Sequence, residues 1–582
     1  MDVTCRPGRI SLFVLSISCL LLAACVPPQP YWDTVTATPG TTPTPVAPIP
    51  VIPTSTRARP STPFPTGVPV RVAGELRLAV REDVRTLNPY LAANTCEQFV
   101  VSLLYDTLLD DDFRGGFRPN LAERWELASD GVNLTFWLDP QARWHNGQPV
   151  TAEDVVFSYT LARQKQFPGL ARVVARVDRA EAVGPREVKF TLLTAQANAI
   201  RLLGTQLRIV PADLWQNVDD PLHYSNLDNP IGSGPFLFVK HVEGEQLVLR
   251  SVRAHHCMVS SAGALVLEIL RNEATALQAL NDGELDALGW DVAPTTASDV
   301  RDNPDDYAGI DLVQAPSLRT NTLLFNLRGA PYDNLAFRQA LAQSLDTQAV
   351  IDKALMGFGD TATAGLCPTA STWQNTAITP IAFHPQQAME RLVAAGFLDR
   401  DGDGLRENPD GSALRIPIVC PDLTTPQLIA EMVATSWEAV GIAADVSTVA
   451  QDLAMPTLME AQFGVMLHSI SLNEPEMAFF YFHTSLGLLN NGYVSGLNYG
   501  GYANPEYDEI AAASLREQNP AKRQELLHQL QEILAIDLPQ IPLYHPRVLN
   551  LCRDDRFTSW SAEPGIGLLS RTTIAGLTAS SD

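Results

Sequence analysis

Five acidic residues of one short segment are spaced like the ligands of a calcium loop. Asp399, Asp401 and Asp403 take positions 1, 3 and 5 of the segment, with Glu407 at position 9 and Asp410 at position 12. Carboxylates in this order, with a glycine at position 6, suit Ca²⁺. An EF-hand has Glu at position 12 and a helix afterwards, whereas here a strand-like apolar run follows. The spacing indicates either a structural calcium site, without catalytic role, or a solvated hairpin.

A second group of metal-ligating residue types is His255-His256-Cys257-Met258. Imidazole, thiol and thioether groups suit soft and borderline metals. Adjacent residues of a hairpin point in different directions, however, which makes joint ligation difficult. The chain also has only ten histidines along its length, so we expect a loop here and no dedicated nickel site.

The sequence lacks the common catalytic motifs. It contains no Gly-x-Ser-x-Gly, no His-Glu-x-x-His and no Walker loop, so hydrolase and nucleotide-hydrolysing sites have no support from motifs. Paired carboxylates of an acidic chain keep an exported hydrolase open as an alternative. We expect a protein that is not an enzyme.

The amino-terminal segment is typical of a bacterial lipoprotein signal. Two arginines precede a short apolar run, which leads into Leu22-Ala23-Ala24-Cys25. Such a signal is cleaved before the cysteine, whose thiol carries lipid. The apolar run of about 15 residues is shorter than the ~20 needed to cross a bilayer. We predict a signal over residues 1–24, lipidation of Cys25 and an extracytoplasmic protein anchored to the cell membrane. A plain secretory signal or a short anchor is the alternative.

Residues 25–73 consist mainly of proline, threonine, valine, alanine and serine. This composition cannot bury a core, and its prolines favour extended conformations. About 45 such residues at ~3.1 Å each would reach on the order of 140 Å. The segment is predicted to be a disordered stalk that lifts the folded part off the membrane, although a spacer without function fits equally well.

The size and charge of the chain limit its partners. At 582 residues, of which 46% are hydrophobic, the chain exceeds a single core and has the composition of a folded, soluble body. Its net charge of −24 argues against nucleic acid and against wide contact with anionic lipid heads, because both need basic surfaces.

The cysteines do not define a disulfide framework. Of eight cysteines, two leave with the predicted signal and one carries lipid, which leaves Cys96, Cys257, Cys367, Cys420 and Cys552. An extracytoplasmic location permits disulfides, but five thiols cannot all pair within one chain. A bridge between Cys367 and Cys420 is our first hypothesis.

Helical and strand patterns alternate irregularly along the chain, which indicates a mixed α/β protein. Glu75–Val80 and Asn133–Leu138 alternate as strands. Thr151, with Asp154 three residues later, is typical of a helix N-cap. Pro520 begins a late helix with one apolar face. We find no internal repeat.

Nine short blocks follow one another in a recognisable order over nearly all of residues 74–556. The most specific block begins with Arg143-Trp144-His145-Asn146-Gly147 and runs to residue 155. The other blocks are residues 86–89, 104–108, 119–125, 232–236, 280–286, 325–327, 337–346 and 502–508. Together they resemble the peptide/nickel (oligopeptide/dipeptide) family of extracellular solute-binding proteins, the capture receptors of ABC importers.

This resemblance implies a two-lobed periplasmic-binding-protein clamshell, type II-like, with an extra small domain on the first lobe. The implied regions are residues 74–110, 230–318 and 545–582 for the first lobe, 111–229 for the small domain and 319–544 for the second lobe. A ligand would lie between the lobes. Closure over it needs ~5.5 kcal/mol of differential affinity, and micromolar binding supplies ~8 kcal/mol.

The resemblance also implies the partners. It predicts a monomeric receptor that takes up a small molecule or peptide, needs no cofactor and delivers its ligand to the transmembrane subunits of an ABC permease. A sensor of the same fold, which signals through a membrane partner without transport, is the alternative.

The resemblance also implies which residues line the ligand cleft, because positions of this chain can be matched to ligand-binding positions of the family. Peptide-binding relatives anchor the ligand's amino end on an aspartate of an Ala-Asp-Tyr-Asn-Glu-Pro-like stretch, where this chain has Ser471. A buried ammonium without a counter-charge is costly, so peptide binding would need Glu474 or Glu476 instead. The matching ligand-binding candidates are Asn94, Thr95, Trp290, Asn321, His468, Ser471, Asn473, Asn498 and Tyr499. Core packing or loop solvation is the alternative for each, and Trp290 is our expected stacking surface.

Overall fold

The structure, a computed structural model, describes residues 74–112 and 115–580. The predicted signal, Cys25 and the proline-rich segment lie outside these residues. None of the helices in the described ranges combines the length and apolar character that a membrane crossing requires.

The first part of the described chain, up to residue 229, contributes seven strands and five α-helices. The strands are β1 (Glu75–Val80), β2 (Leu109–Asp111), β3 (Phe117–Pro119), β4 (Ala122–Leu127), β5 (Asn133–Leu138), β6 (Val177–Gly184) and β7 (Glu187–Leu192). The helices are α1 (Thr95–Leu104), α2 (Ala152–Lys165), α3 (Ala171–Val174), α4 (Ala199–Arg201) and α5 (Ala212–Trp215). Helix α2 begins at the predicted cap, where the Asp154 N–H donates to Thr151 Oγ1 at 3.4 Å and the Thr151 N–H donates to Asp154 Oδ2 at 2.9 Å.

The next part, residues 230–318, alternates strands with two helices. The strands are β8 (Phe236–Val242), β9 (Gln246–Ser251), β10 (Ala264–Ile269), β11 (Ala287–Leu288) and β12 (Ile310–Pro316). The helices are α6 (Glu273–Asn281) and α7 (Pro294–Asp302). Strands β8 and β9 form an antiparallel hairpin.

The last part contains the remaining ten strands and nine α-helices of the described residues. The strands are β13 (Thr320–Phe325), β14 (Gly359–Thr361), β15 (Arg415–Pro421), β16 (Ala443–Val449), β17 (Val465–Ile470), β18 (Leu489–Asn490), β19 (Tyr493–Val494), β20 (Gln540–Arg553), β21 (Phe557–Thr558) and β22 (Thr578–Ala579). The helices are α8 (Leu335–Gln343), α9 (Thr347–Ala354), α10 (Pro385–Ala394), α11 (Thr424–Glu438), α12 (Gln451–Met459), α13 (Met477–Phe482), α14 (Pro505–Ser514), α15 (Pro520–Asp537) and α16 (Arg571–Gly576).

The largest sheet mixes parallel and antiparallel pairs. Its order is β16-β15-β17-β13-β20-β11-β1-β10-β9-β8, and β12 and β14 also pair with β20. Strand β1 is parallel to β10 and β11, and β15 is parallel to β16 and β17. A separate four-stranded antiparallel sheet has the order β4-β5-β7-β6. The predicted mixed α/β class is confirmed.

The long strand β20 belongs to both halves of the large sheet. Its residues 540–544 pair with β13, and its residues 547–553 pair with β12. Strands β12 and β13 are joined directly by residues 317–319. Two neighbouring chain segments therefore connect the halves. We use the name crossing strands for β20, for β13, and for β17, which pairs with β13 next to this connection.

Each half of the sheet has its own hydrophobic cluster. Leu78 and Leu249 of the first half share a cluster with Phe136 and Phe190 of the four-stranded sheet. The second half is built around a different set, which includes the fully buried Trp437. A third cluster packs Phe358 against Ala79 and Leu288 of the first half, so the two halves also share apolar contacts.

The hypothesis of a Cys367–Cys420 bridge is wrong. The Cys367 thiol lies 3.8 Å from the carbonyl oxygen of Leu472, and the Cys420 thiol lies 3.7 Å from that of Ser447. The two cysteines belong to different hydrophobic clusters, and all five cysteines of the described residues are free. Free buried cysteines behave as small hydrophobic residues, so an extracytoplasmic location alone did not justify a pairing.

Candidate ligand-binding site

The crossing strands carry buried polar atoms that the protein does not satisfy. Within the described chain, no hydrogen-bond partner is found for His468 Nε2 and Ser469 Oγ on β17, or for His545 Nε2 and Asn550 Oδ1 on β20. Buried polar groups nearly always have a partner. Four such atoms lie on the two strands that flank β13. Five other buried atoms of the described residues, among them Gln196 Nε2 and His528 Nε2, share this property, so water as well as a solute can be the partner.

His468 and Tyr499, both predicted from sequence, lie together. Their ring centroids are 5.9 Å apart at an interplanar angle of 87°, a favourable edge-to-face arrangement. Burial lowers the pKa of His468 to about 4 and raises the pKa of Tyr499 to about 12. At neutral pH the imidazole is therefore uncharged and the phenol is protonated. The Tyr499 hydroxyl also lies 3.5 Å from Met455 Sδ.

Asn321 and His468 lie on opposite faces of the sheet. Asn321 pairs in register with Ser469, and its neighbour Thr322 pairs with His468. Because successive strand residues point to opposite faces, the half-buried Asn321 shares a face with Ser469. The two predicted residues therefore do not form one cluster on β13 and β17.

Ser471, which replaces the expected acid, is bound to the protein itself. Its hydroxyl donates to the carbonyl oxygen of Leu318 at 2.7 Å, in the segment that joins the two halves. The Ser471 backbone also hydrogen-bonds to the hydroxyl of Tyr481. The Ser471 hydroxyl therefore stabilises the segment that connects the two halves of the sheet. Asn473, two residues further along, is half-buried.

The two glutamates that follow have different environments. Glu476 is buried; its Oε2 lies 3.4 Å from Arg523 Nη2, and its Oε1 accepts from Asn198 Nδ2 at 2.8 Å. Glu474 is half-buried, and burial, together with the charge of Glu476, raises its pKa against the opposing effect of Arg172. Glu476 is thus committed to a contact between residues 111–229 and residues 319–544, which leaves Glu474 as the candidate counter-charge.

Trp290 has one ring face covered. The guanidinium carbon of Arg81 lies 4.7 Å from the ring centroid, and the indole N–H donates to Glu273 Oε2 at 3.2 Å. The same Glu273 oxygen pairs with Arg81 at 2.5 Å, so the ring is held from two sides. A ligand could stack only on the opposite ring face.

Two predicted asparagines perform structural roles, and Thr95 is exposed next to one of them. Asn94 caps α1, because its Oδ1 accepts the N–H of Glu97 at 2.8 Å. Asn498 is buried and fixes its loop through hydrogen bonds to the backbone of Tyr502 at 2.8 and 3.0 Å. The Asn-x-x-Glu spacing of a capping box was a visible signal for the first of these roles.

The acidic loop brings together three of its five predicted ligands. The carboxylates of Asp399, Asp401 and Asp403 approach within 4.8 Å of one another, and all three residues are exposed. Glu407 and Asp410 instead accept backbone N–H groups, of Arg400 and Ser412, each at 2.9 Å. These bonds fold the loop without a cation, and the calcium hypothesis gains no support.

Sequence analysis missed several polar residues of the crossing strands. Thr322 Oγ1 donates to Gln540 Oε1 at 2.7 Å, while Ser469, His545 and Asn550 contribute the partnerless atoms described above. The available signal was the presence of polar residues inside otherwise apolar strands. A central strand is buried on both faces, so a polar residue within it is buried as well.

Comparisons with known proteins agree with this architecture. The model of a family described as bacterial extracellular solute-binding proteins, family 5 middle, matches residues 116–492. The chain is 24% identical over 469 residues to Di/tripeptide-binding protein 3 of Pseudomonas aeruginosa (strain UCBPP-PA14), which covers 75% of this chain and 83% of that protein.

Solved structures of the same fold carry different ligands. NikZ from Campylobacter jejuni, in complex with Ni(L-His), has a TM-score of 0.70 and 21% identity, and covers 87% of this chain and 100% of that one. A periplasmic oligopeptide-binding protein from Thermotoga maritima, bound to mannohexaose, has a TM-score of 0.68 and 22% identity, with 88% and 100% covered. The predicted two-lobed clamshell is confirmed. The chain belongs to family 5 of the bacterial extracellular solute-binding proteins, which capture a solute and deliver it to an ABC permease.

Proposed function

We propose that the protein is a monomeric, lipid-anchored receptor that closes over an uncharged polar solute, or the uncharged part of a peptide, at the crossing strands. The observation that carries this proposal is the set of buried polar atoms without partners on β17 and β20. A hydrogen-bonding solute would satisfy those on one face of the sheet, such as His468 Nε2, and leaving one of them unsatisfied costs about 1–3 kcal/mol. Solute binding would therefore favour the closed state.

The lobe boundaries that we propose are those implied by the sequence. Residues 74–110, 230–318 and 545–582 would form the first lobe, 111–229 the small domain and 319–544 the second lobe. The change of pairing partner along β20, from β13 at Tyr544 to β12 at Arg547, supports a hinge next to residues 317–319.

The solute class follows from the groups at the site. Relatives are named for di- and tripeptides, and structural neighbours hold a nickel–histidine complex or mannohexaose, so the fold accepts chemically different ligands. In this chain His468 is uncharged at neutral pH, Tyr499 keeps its proton and Ser471 replaces the expected acid. These groups favour hydrogen bonds over ion pairs with the ligand.

A ligand screen on the full chain tests the proposal. Dipeptides, tripeptides and neutral oligosaccharides would be ranked by thermal shift, and hits would be measured by calorimetry together with mass spectrometry of the recovered ligand. A ligand at 100 times its Kd stabilises the folded state by about 2.7 kcal/mol. We expect saturable binding with an unchanged ligand. Turnover of the ligand, or binding that is identical in His468→Phe, would contradict the proposal.

The membrane anchor is tested separately. The full chain would be expressed in a bacterial host with radiolabelled palmitate, beside a Cys25→Ser variant. We expect label and membrane association in the parent protein and neither in the variant, because the thiol of Cys25 is the proposed lipid attachment point. Equal membrane association of both proteins would point to an uncleaved anchor.

A further inference from the structure

The loop between β9 and β10 gathers three metal-ligating side chains. One donor atom from each of His255, His256 and Cys257 lies within 4.8 Å of the other two. We expected neighbouring residues of a hairpin to point apart, and this expectation was wrong. The chain turns at this point, and the N–H of Met258 donates to His255 Nδ1 at 3.1 Å, which folds the donors onto one side of the turn.

His255 has a defined tautomer. Its Nε2 lies 3.3 Å from Asp106 Oδ2 and 3.1 Å from the carbonyl oxygen of Ser233, and both of these atoms are acceptors. The proton is therefore on Nε2, and the lone pair is on Nδ1, 3.7 Å from Cys257 Sγ. A carboxylate behind an imidazole is the arrangement that orients metal-binding histidines and increases their basicity.

His256 supplies an independent observation. Its Nε2 is buried and has no hydrogen-bond partner in the described part of the chain. Its ring centroid is 4.1 Å from that of His255. A buried nitrogen without a partner is unfavourable, and a bound cation would satisfy it.

Cys257 gives the cluster an opening to solvent. It is exposed, whereas the other free cysteines of the described residues are buried. At this opening the thiol donates to Asn120 Oδ1 at 3.2 Å and accepts from Arg571 Nη2 at 3.4 Å. Metal binding would require the loss of the thiol proton.

We propose that His255, His256 and Cys257 form a binding site for a soft monovalent cation of the Cu(I)/Ag(I) class, outside the solute-binding crossing strands. Thiolate and imidazole are the ligands that such cations prefer, and three donors suffice for them, whereas structural zinc almost always takes four. The cation would displace the thiol proton of Cys257. It would bind Cys257 Sγ and His256 Nε2 most directly, because His255 Nδ1 also accepts the N–H groups of Cys257 and Met258 that build the turn.

Silver ion alone, which avoids copper redox chemistry, is the probe. The full chain would be titrated with Ag(I), and binding would be followed by calorimetry and by protection of Cys257 from maleimide, located by peptide mass spectrometry. We expect one tight site per chain whose Kd rises at least 100-fold in Cys257→Ser and about tenfold in His256→Gln. The matched control is Cys420→Ser, which removes a buried thiol from another cluster and should leave the site unchanged.

Two results would overturn the proposal. Equal protection of Cys257 in the parent protein and in His256→Gln would mean that silver binds a lone thiol and not a built site. Equal tight binding by Cys257→Ser and the parent protein would place silver elsewhere in the chain. Circular dichroism and the Tm of each variant without silver establish that these comparisons use folded protein.

Discussion

At the crossing strands His468 Nε2 and Ser469 Oγ are buried without a partner in the described chain, whereas at the Glu476 contact each buried charge is paired. There, Glu476 is bonded to Asn198 and Arg523, and Arg523 Nε donates to the carbonyl oxygen of Ser514 at 3.1 Å. The first region offers polar atoms to a group from outside, as the proposed recognition site requires, and the second is completed by the protein. The Glu476 contact therefore serves to hold residues 111–229 against residues 319–544.

Breaking the Glu476 contact should have the largest effect. Glu476→Ala leaves the buried Arg523 without its counter-charge, and the loss of one partner of a buried pair costs about 3–5 kcal/mol. We expect this loss in the free energy of unfolding from urea titrations followed by circular dichroism. The control is Glu181→Ala at the exposed pair with Arg179, where we expect about 0–1 kcal/mol. Equal losses in both variants would mean that the Glu476 pair is not buried in solution.

Replacing His468 should separate stability from binding. His468→Phe removes a buried nitrogen that has no partner and keeps a ring against Tyr499, so the ligand-free protein should be as stable as the parent or more stable. The affinity for the solute found in the screen should fall by about 1–3 kcal/mol, because a hydrogen bond to the ligand is lost.

Asn498→Ala is the matched control for His468→Phe. It removes an amide that the protein uses itself, in bonds to Tyr502, so we expect lower stability and an unchanged affinity per folded molecule. Calorimetry and urea unfolding of both variants measure the two quantities. Reduced stability of ligand-free His468→Phe would show that the imidazole nitrogen has a partner within the protein.

The pH dependence of stability should report the burial of His468. Its pKa is 6.5 ordinarily and about 4 in the folded protein, so between these values the unfolded chain binds the extra proton. The free energy of unfolding therefore falls as pH drops from about 6.5 to 4, by about 3 kcal/mol from this residue. His468→Phe should lose that part of the slope, whereas His223→Gln, at an exposed histidine, should keep it. An unaltered slope in His468→Phe would show that the ring is solvated.

Local patterns allowed much of the fold to be predicted. Strand Glu75–Val80, the cap at Thr151 and the helix that begins at Pro520 depend on neighbours within a few residues, and periodicity records such neighbours. The two-lobed arrangement followed from the family resemblance, because no local pattern specifies which strands meet.

The candidate site was harder to predict because its decisive contacts are distant in sequence. Asn198 and Glu476 are 278 residues apart, and Ser471 and Leu318 are 153 residues apart. Matching positions named Asn94 and Asn498 as ligand contacts, although short-range hydrogen bonds use both amides. The convergence of His255 and Cys257 depends on a turn whose geometry their residue types do not encode.

The acidic loop extends the comparison to exposed groups and should give the smallest effect. Asp399 accepts the N–H groups of Gly402 and Gly404 at 2.7 and 3.0 Å, so its carboxylate is satisfied by its own backbone, like the paired groups at Glu476. Water also solvates these exposed side chains, so millimolar calcium should leave the Tm within about 1 °C, which for a chain of this size is well under 1 kcal/mol. The same should hold for Asp401→Asn, measured by calorimetry after dialysis against a chelator. Calcium-dependent stabilisation of the parent protein but not of this variant would establish a metal site. It would also show that a carboxylate hydrogen-bonded to its own backbone can still bind a cation.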